Sequence, residues 1–200
     1  MKSNTQNAVF LQRLAAYLID VILIGLCVSL ISSPFINTTA VEKINSQLQD
    51  VAVKLQNNDI SYMSYIREVA VLGLESGKQN GVSTIITIVL EILYFVVFQI
   101  YNSGQTIGKK ILKIKVVSKD GELTMNQMIG RSLLVNSILL SMISIVVISF
   151  VSNPMQYLYI NGSFESIQYI FYLVTVLMVM FRKDHVSLHD FITNTRVVKL

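Results

Sequence analysis

The chain has 200 residues, of which 52% are hydrophobic and only 14% charged. A soluble domain carries roughly 25% charged residues, and so little polar side chain cannot cover so much apolar surface in water. This composition argues against a water-soluble globular fold. The single cysteine, Cys27, provides no disulfide framework, and the net charge of +4 informs through its placement rather than its sum.

A hydrocarbon core ~30 Å thick takes about 20 mostly apolar residues in a helix. Four segments meet that requirement: 14–31, 82–100, 133–151 and 166–181, the last being the shortest. An α-helix satisfies its own backbone donors and acceptors, so each is expected to span as a helix. Lys2 and Arg13 precede the first block as they would in a secretory signal. The block is longer than a signal's apolar region, however, Asp20 interrupts it, and no small-x-small cleavage site follows. It is expected to be retained.

Orientation follows the lysines and arginines that flank the spans. Lys2 and Arg13 lie before the first. Lys109, Lys110, Lys113, Lys115, Lys119 and Arg131 lie between the second and third, and Arg182, Lys183, Arg196 and Lys199 follow the fourth. The connection between the third and fourth has none. In the long first connection Lys43, Lys54, Arg67 and Lys78 are outnumbered by Glu42, Asp50, Asp59, Glu68 and Glu75. Four crossings put every basic cluster on one side, the cytoplasm. The expectation is an all-α integral membrane domain over 1–200, with both termini inside.

The first connection, 32–81, is too long for plain coil. Val41, Ile44, Leu48, Val51 and Leu55 recur at helical spacing, and Thr39 with Glu42 fits a capping box. Asn57, Asn58 and Asp59 break that helix. A second is expected from Ser61, with Tyr62, Tyr65, Val69 and Leu72 on one face. Two amphipathic helices would form a cap outside the membrane, an extracytoplasmic insertion.

In the basic connection, Gly104, Gly108 and Lys109 approximate a phosphate loop, but the spacing is one residue short and Lys110 replaces Ser or Thr, so nucleotide binding is rejected. Ile111 to Val117 alternates lysine with apolar residues, as a half-buried strand does, and Lys119-Asp120-Gly121 makes a turn. Thr124 with Gln127 fits a capping box ahead of the third span. The tail ends TRVVKL, a second strand-like run expected to pair with the first. The lysines suit anionic headgroups at the cytoplasmic face.

RLAAYLID (13–20), GQTIGKKILKIKVVSKDGELT (104–124) followed by Arg131, and LHDFITNTRVV (188–198) together resemble the RDD family of bacterial membrane proteins. The family takes its name from one arginine and two aspartates, and motif matching puts these at Arg13, Asp20 and Asp190. The resemblance leaves out the first connection, which looks like an insertion. It implies a multi-pass protein of a bacterial cell membrane. It implies little about activity: ligand transport has been suggested for the family, and some members are associated with sodium/proton exchange.

Charged groups in a bilayer are costly, ~2.5–3.5 kcal/mol each on insertion scales, so each needs a partner, a proton or an ion. Arg13 and Asp20 are seven residues apart and share a helix face, and Glu91 is near the middle of the second span. Three readings stand side by side. Arg13, Arg131, Asp20 and Asp190 form a charge lock between helices and tail. Alternatively, Asp20, Glu91 and Asn136 line a path for a proton or monovalent cation. In the third, the protein is a non-catalytic scaffold or regulatory partner of another membrane protein. His185 and His189 are four apart, as metal ligands on a helix are, but lack a third ligand at a known spacing. The bland alternative is that His189 and Asp190 belong to a helix start. No hydrolase arrangement, cofactor motif or nucleic-acid platform is visible.

Overall fold

The computed structural model describes residues 6–200; Lys2 of the expected cytoplasmic flank lies outside the described residues. Helix α1 (Phe10–Ser32) ends in a 3-10 turn at Ser33–Phe35. Leu18, Ile22, Leu26 and Leu30 form a stripe four residues apart that no other element covers, 51–76% exposed, while Ala16, Asp20 and Ile24 are buried on the opposite face. A helix with its apolar stripe turned outward and its carboxylate turned inward is organised for lipid.

Helix α2 (Thr38–Gln56) packs along the start of α3 (Tyr62–Ile92) through Ile44, Val51 and Leu72. The N-cap of α2 is Asn37, whose side chain accepts from Ala40 N, and not the expected Thr39 with Glu42; Asn37 lies one residue before the helix and so faces its free donors. The start of α3 is as expected, with Ser61 as cap. This outer helix and the second span, read from sequence as separate segments, are one continuous helix. Helix α3 runs on through a π-helical turn (Leu93–Phe98) into α4 (Gln99–Tyr101), a 40-residue rod. No residue between 73 and 82 breaks a helix strongly, because isolated glycines only weaken one.

The third expected span, 133–151, is broken. Helices α6 (Met125–Val135) and α7 (Ile138–Phe150) meet at 69° across Asn136 and Ser137, and Ser137 takes a left-handed conformation, φ 57°. Carbonyls freed at a break inside a bundle need new donors. Tyr172 Oη donates to the Val135 carbonyl, and Ser137 Oγ is hydrogen-bonded to the same Tyr172 hydroxyl at 2.7 Å. Tyr172 comes to the break from α8 (Pro154–Phe181), which starts twelve residues before the expected 166 because Asn153 caps it and Pro154 suits a first turn. Among the described residues, three helices are long and apolar enough to cross a membrane, or four if the bent pair counts as one span.

The two remaining connections share one design. Thr106 caps the short helix α5 (Ile107–Ile111), Lys113 turns left-handed, and strand β1 (Ile114–Ser118) follows. Ser187 caps α9 (Leu188–Ile192), Asn194 turns left-handed, and β2 (Thr195–Lys199) follows. The strands pair antiparallel, Val116 opposite Val197. The expected strand thus begins at Ile114 rather than Ile111, because residues 107–111 are a capped helical turn. The Thr124–Gln127 capping box is present. The N-terminal segment joins the sheet through Ala8 N donating to the Val197 carbonyl at 2.9 Å. Beneath the sheet lies a core of Ala8, Ala16, Val96, Ile114, Val116, Met128 and Val197. The N-terminal segment, the basic connection and the tail therefore meet at one end of the bundle.

Candidate functional site

Asp190 is fully buried and sits third in the capping box that starts α9, so its backbone is fixed by Ser187. Its carboxylate receives Arg13 Nη1 of α1 at 2.5 Å and Arg131 Nη1 of α6. Arg13 Nε also donates to the Ala8 carbonyl, and Arg131 Nη1 to Thr195 Oγ1. One carboxylate thus ties two helices to the tail. Burial opposes the Asp190 charge, but Arg131 and Arg13 outweigh it and hold the carboxyl well below the ordinary carboxylate range. His189 lies beside it, its Nε2 3.7 Å from Asp190 Oδ1. Burial and then Arg131 push this imidazole down to about 3, so it is neutral at physiological pH.

Asp20 is also fully buried, but it is not part of that lock. Its oxygens accept from Tyr94 Oη (2.6 Å), Thr106 Oγ1 (2.5 Å) and Gly108 N (2.8 Å). Two features bring these donors in. The π turn rotates Tyr94 toward α1, and a π turn often marks a functional position. Gly108 lies so close to α1 that a Cβ would fall 2.1 Å from the Ala16 carbonyl oxygen. Arg13, though on the same helix face, is committed to Asp190.

Glu91 stands apart from both. It lines a cavity of about 170 Å³ with Tyr17, Thr87, Phe95 and Asn136. Its Oε2 is buried without a hydrogen-bond partner among the described residues, as are Asn136 Oδ1 and Thr175 Oγ1. A second cavity, about 160 Å³, lies toward the sheet and is lined by Arg13, Lys109, Arg131, Asn136, Thr175 and His189, among others. The two cavities share Tyr17, Phe95 and Asn136. Lys109 has no carboxylate within salt-bridge distance among the described residues; its Nζ lies 3.4 Å from Thr106 Oγ1. Burial and then Arg131 push its pKa down to about 8.

The candidates read from sequence therefore fall into three environments. Arg13, Arg131 and Asp190 meet in the lock. Asp20 is bound by uncharged donors, and Glu91 and Asn136 line a cavity. Glu91 is not among the partners of Asp20. Lys109, Thr106, Tyr94 and Gly108 were not singled out for these positions. Thr106, a capping residue type just after the turn at 102–104, could have been placed as an N-cap; nothing in the pattern reveals the π turn. No cluster of three or more metal-ligating side chains occurs among the described residues. His185 Nδ1 is instead 2.9 Å from the Val179 carbonyl.

Long apolar helices around buried charge, with a small sheet closing one end, fit a helical multi-pass membrane protein. The chain belongs to the RDD family, whose sequence profile matches residues 7–194, nearly its whole length. No curated protein and no solved structure matched it.

Proposed function

We propose that this is a cell-membrane protein with four crossings and both termini in the cytoplasm, and that it moves a proton, or a monovalent cation in exchange for one, by way of Glu91. The observation that carries the reading is Glu91 itself: a carboxylate in a long apolar helix, lining a cavity, with a buried oxygen that has no hydrogen-bond partner among the described residues. Such a group is costly in a bilayer unless a proton or cation joins it. Asn136, shared by both cavities and itself unpartnered at Oδ1, is the connecting polar group toward the sheet end. Asp20, with three donors on its oxygens, acts as a positioning group.

A sodium or potassium gradient across sealed proteoliposomes should drive proton movement, and Glu91→Gln should abolish it while leaving the melting temperature nearly unchanged. Absence of cation-dependent proton movement across a pH series would favour the alternative reading, a non-catalytic scaffold or regulatory partner of another membrane protein. That alternative draws its support from the fixed Arg13–Asp190–Arg131 tie. The topology rests on the basic residues at the sheet end. With Cys27 removed, cysteines placed at Gln56 and Ser118 should react with an impermeant thiol reagent from opposite sides.

A further inference from the structure

The cavity nearest the sheet has an unusual charge balance. Three bases line it, Arg13, Lys109 and Arg131, and no Asp or Glu does. Asp190 accepts Nη1 of both arginines, yet Arg13 Nη2 remains buried with no partner, and Lys109 has no carboxylate at all within salt-bridge distance among the described residues. Three positive side chains thus stand against two carboxylates, Asp190 and, bridged to Lys109 by Thr106 Oγ1, Asp20, which leaves one positive charge over. Buried cations without counter-charge are expensive, and an anion entering the cavity would offset that cost.

The remaining wall says which anion fits. Phe10 and Leu14 of α1 and Val176 and Val179 of α8 line the same cavity, and Leu14 is 38% exposed on the outer side of the bundle. The cavity therefore joins a cationic floor to an apolar wall that reaches the lipid-facing surface. We infer that this cavity is a binding site for a phosphate monoanion, supplied by the headgroup of an anionic phospholipid whose chain lies along α1 and α8. The headgroup oxygens take Arg13 Nη2, which has no partner among the described residues, and Lys109 Nζ, which Asp190 does not pair and which keeps only its long contact to Thr106 Oγ1. The inference rests on the bundle being membrane-embedded, but it does not require Glu91 to carry charge. A missing flux would therefore leave it standing.

The full chain is reconstituted in nanodiscs of phosphatidylcholine, with and without phosphatidylglycerol, and its melting temperature is measured. Phosphatidylglycerol should raise it, and the rise should persist in about 0.5 M salt, where screening suppresses loose surface attraction. Lys109→Gln should lose the rise, Lys109→Arg should keep it, and Lys110→Gln, at an exposed neighbour, should keep it. If Lys109→Gln yields no folded protein, phosphatidylglycerol retained by the wild type and by Lys110→Gln after exchange into detergent gives the second measure. An equal rise from inorganic phosphate in phosphatidylcholine discs would assign the site to a free anion and overturn the lipid. No rise, a rise erased by salt, or equal loss in Lys109→Gln and Lys110→Gln would overturn the site.

Discussion

Replacing Asp190 with asparagine keeps the size of the side chain and removes its charge. In the native chain this carboxylate is fully buried and receives one guanidinium from α1 and one from α6. Without it, Arg13 and Arg131 face each other across a site shielded from water. Removing one member of a buried ion pair costs roughly 3–5 kcal/mol, because the charge left behind is uncompensated, and here two are left. For a chain of this length each kcal/mol moves the melting temperature by about 2–4 °C, so a fall on the order of 10 °C is expected. The assay is thermal unfolding of purified protein in detergent. Asp184→Asn is the control, since its pair with Arg182 has both side chains nearly half exposed and should matter little. A melting temperature unchanged in Asp190→Asn, or lowered equally in both variants, would refute the view that the carboxylate holds the helices together.

Two more outcomes follow from the same end of the molecule. His189 is buried and neutral, with its pKa held near 3 in the folded chain against about 6.5 when unfolded. The unfolded chain thus binds the extra proton between those values, so stability should fall as pH drops from about 6.5 toward 3, and His189→Gln should flatten that slope above about pH 4. Below about pH 4 Asp190 adds a second loss in the same direction, since its folded pKa is depressed and its stabilisation is lost on protonation. Melting curves across pH read both. Gly108→Ala puts a Cβ 2.1 Å from the Ala16 carbonyl oxygen and 2.9 Å from Asp20 Oδ1, so helix α5 must leave α1. A cost of roughly 3 kcal/mol or more is expected, the upper end for overpacking. Gly130→Ala, whose nearest neighbour would be the Thr193 methyl at 3.4 Å, should be mild. Equal melting temperatures for the two would count against the close approach.

The long apolar helices and the strand pair were legible because they rest on runs of residues: apolar length for the helices, alternation for the first strand and a strand-like run at Thr195–Lys199 for the second. Ser61 and Thr124 announced their helices because a cap is a local matter between a side chain and the next turn. The break at Asn136 and Ser137 was not legible. Nothing at those positions forbids a straight helix, and the bend exists because Tyr172, 35 residues on, supplies a donor to the Val135 carbonyl and a partner for Ser137. The π turn at Leu93–Phe98 was hidden for the same reason: Ser132 Oγ donates to the Phe95 carbonyl from another helix. For the charges, sequence placed Arg13, Arg131 and Asp190 near one boundary, but spacing alone gave Asp20 a choice between Arg13 and Glu91. The structure gives it neither, because Thr106, Gly108 and Tyr94 reach it through a fold of the connection that no periodicity encodes.

The two aspartates are then best understood as the matched anchors of two helix-turn-strand units. Asp20 receives the capping threonine and a backbone N–H from α5, and so fastens the first unit to α1. Asp190 lies inside α9 and reaches outward to Arg13 and Arg131, and so fastens the second unit to α1 and α6. Because β1 and β2 pair, the two anchors act on one sheet, and that sheet closes the end of the bundle. An anchor needs its lone pairs occupied, and both carboxylates meet that demand. A group that takes up and releases a charge needs the opposite: a pairing left open, next to space that can be entered. Glu91 has that in one cavity and Lys109 in the next, with Asn136 between them. The aspartates that give the family its name therefore build the frame, and the groups proposed for chemistry or for ligand, Glu91 and Lys109, are not among the residues of that name.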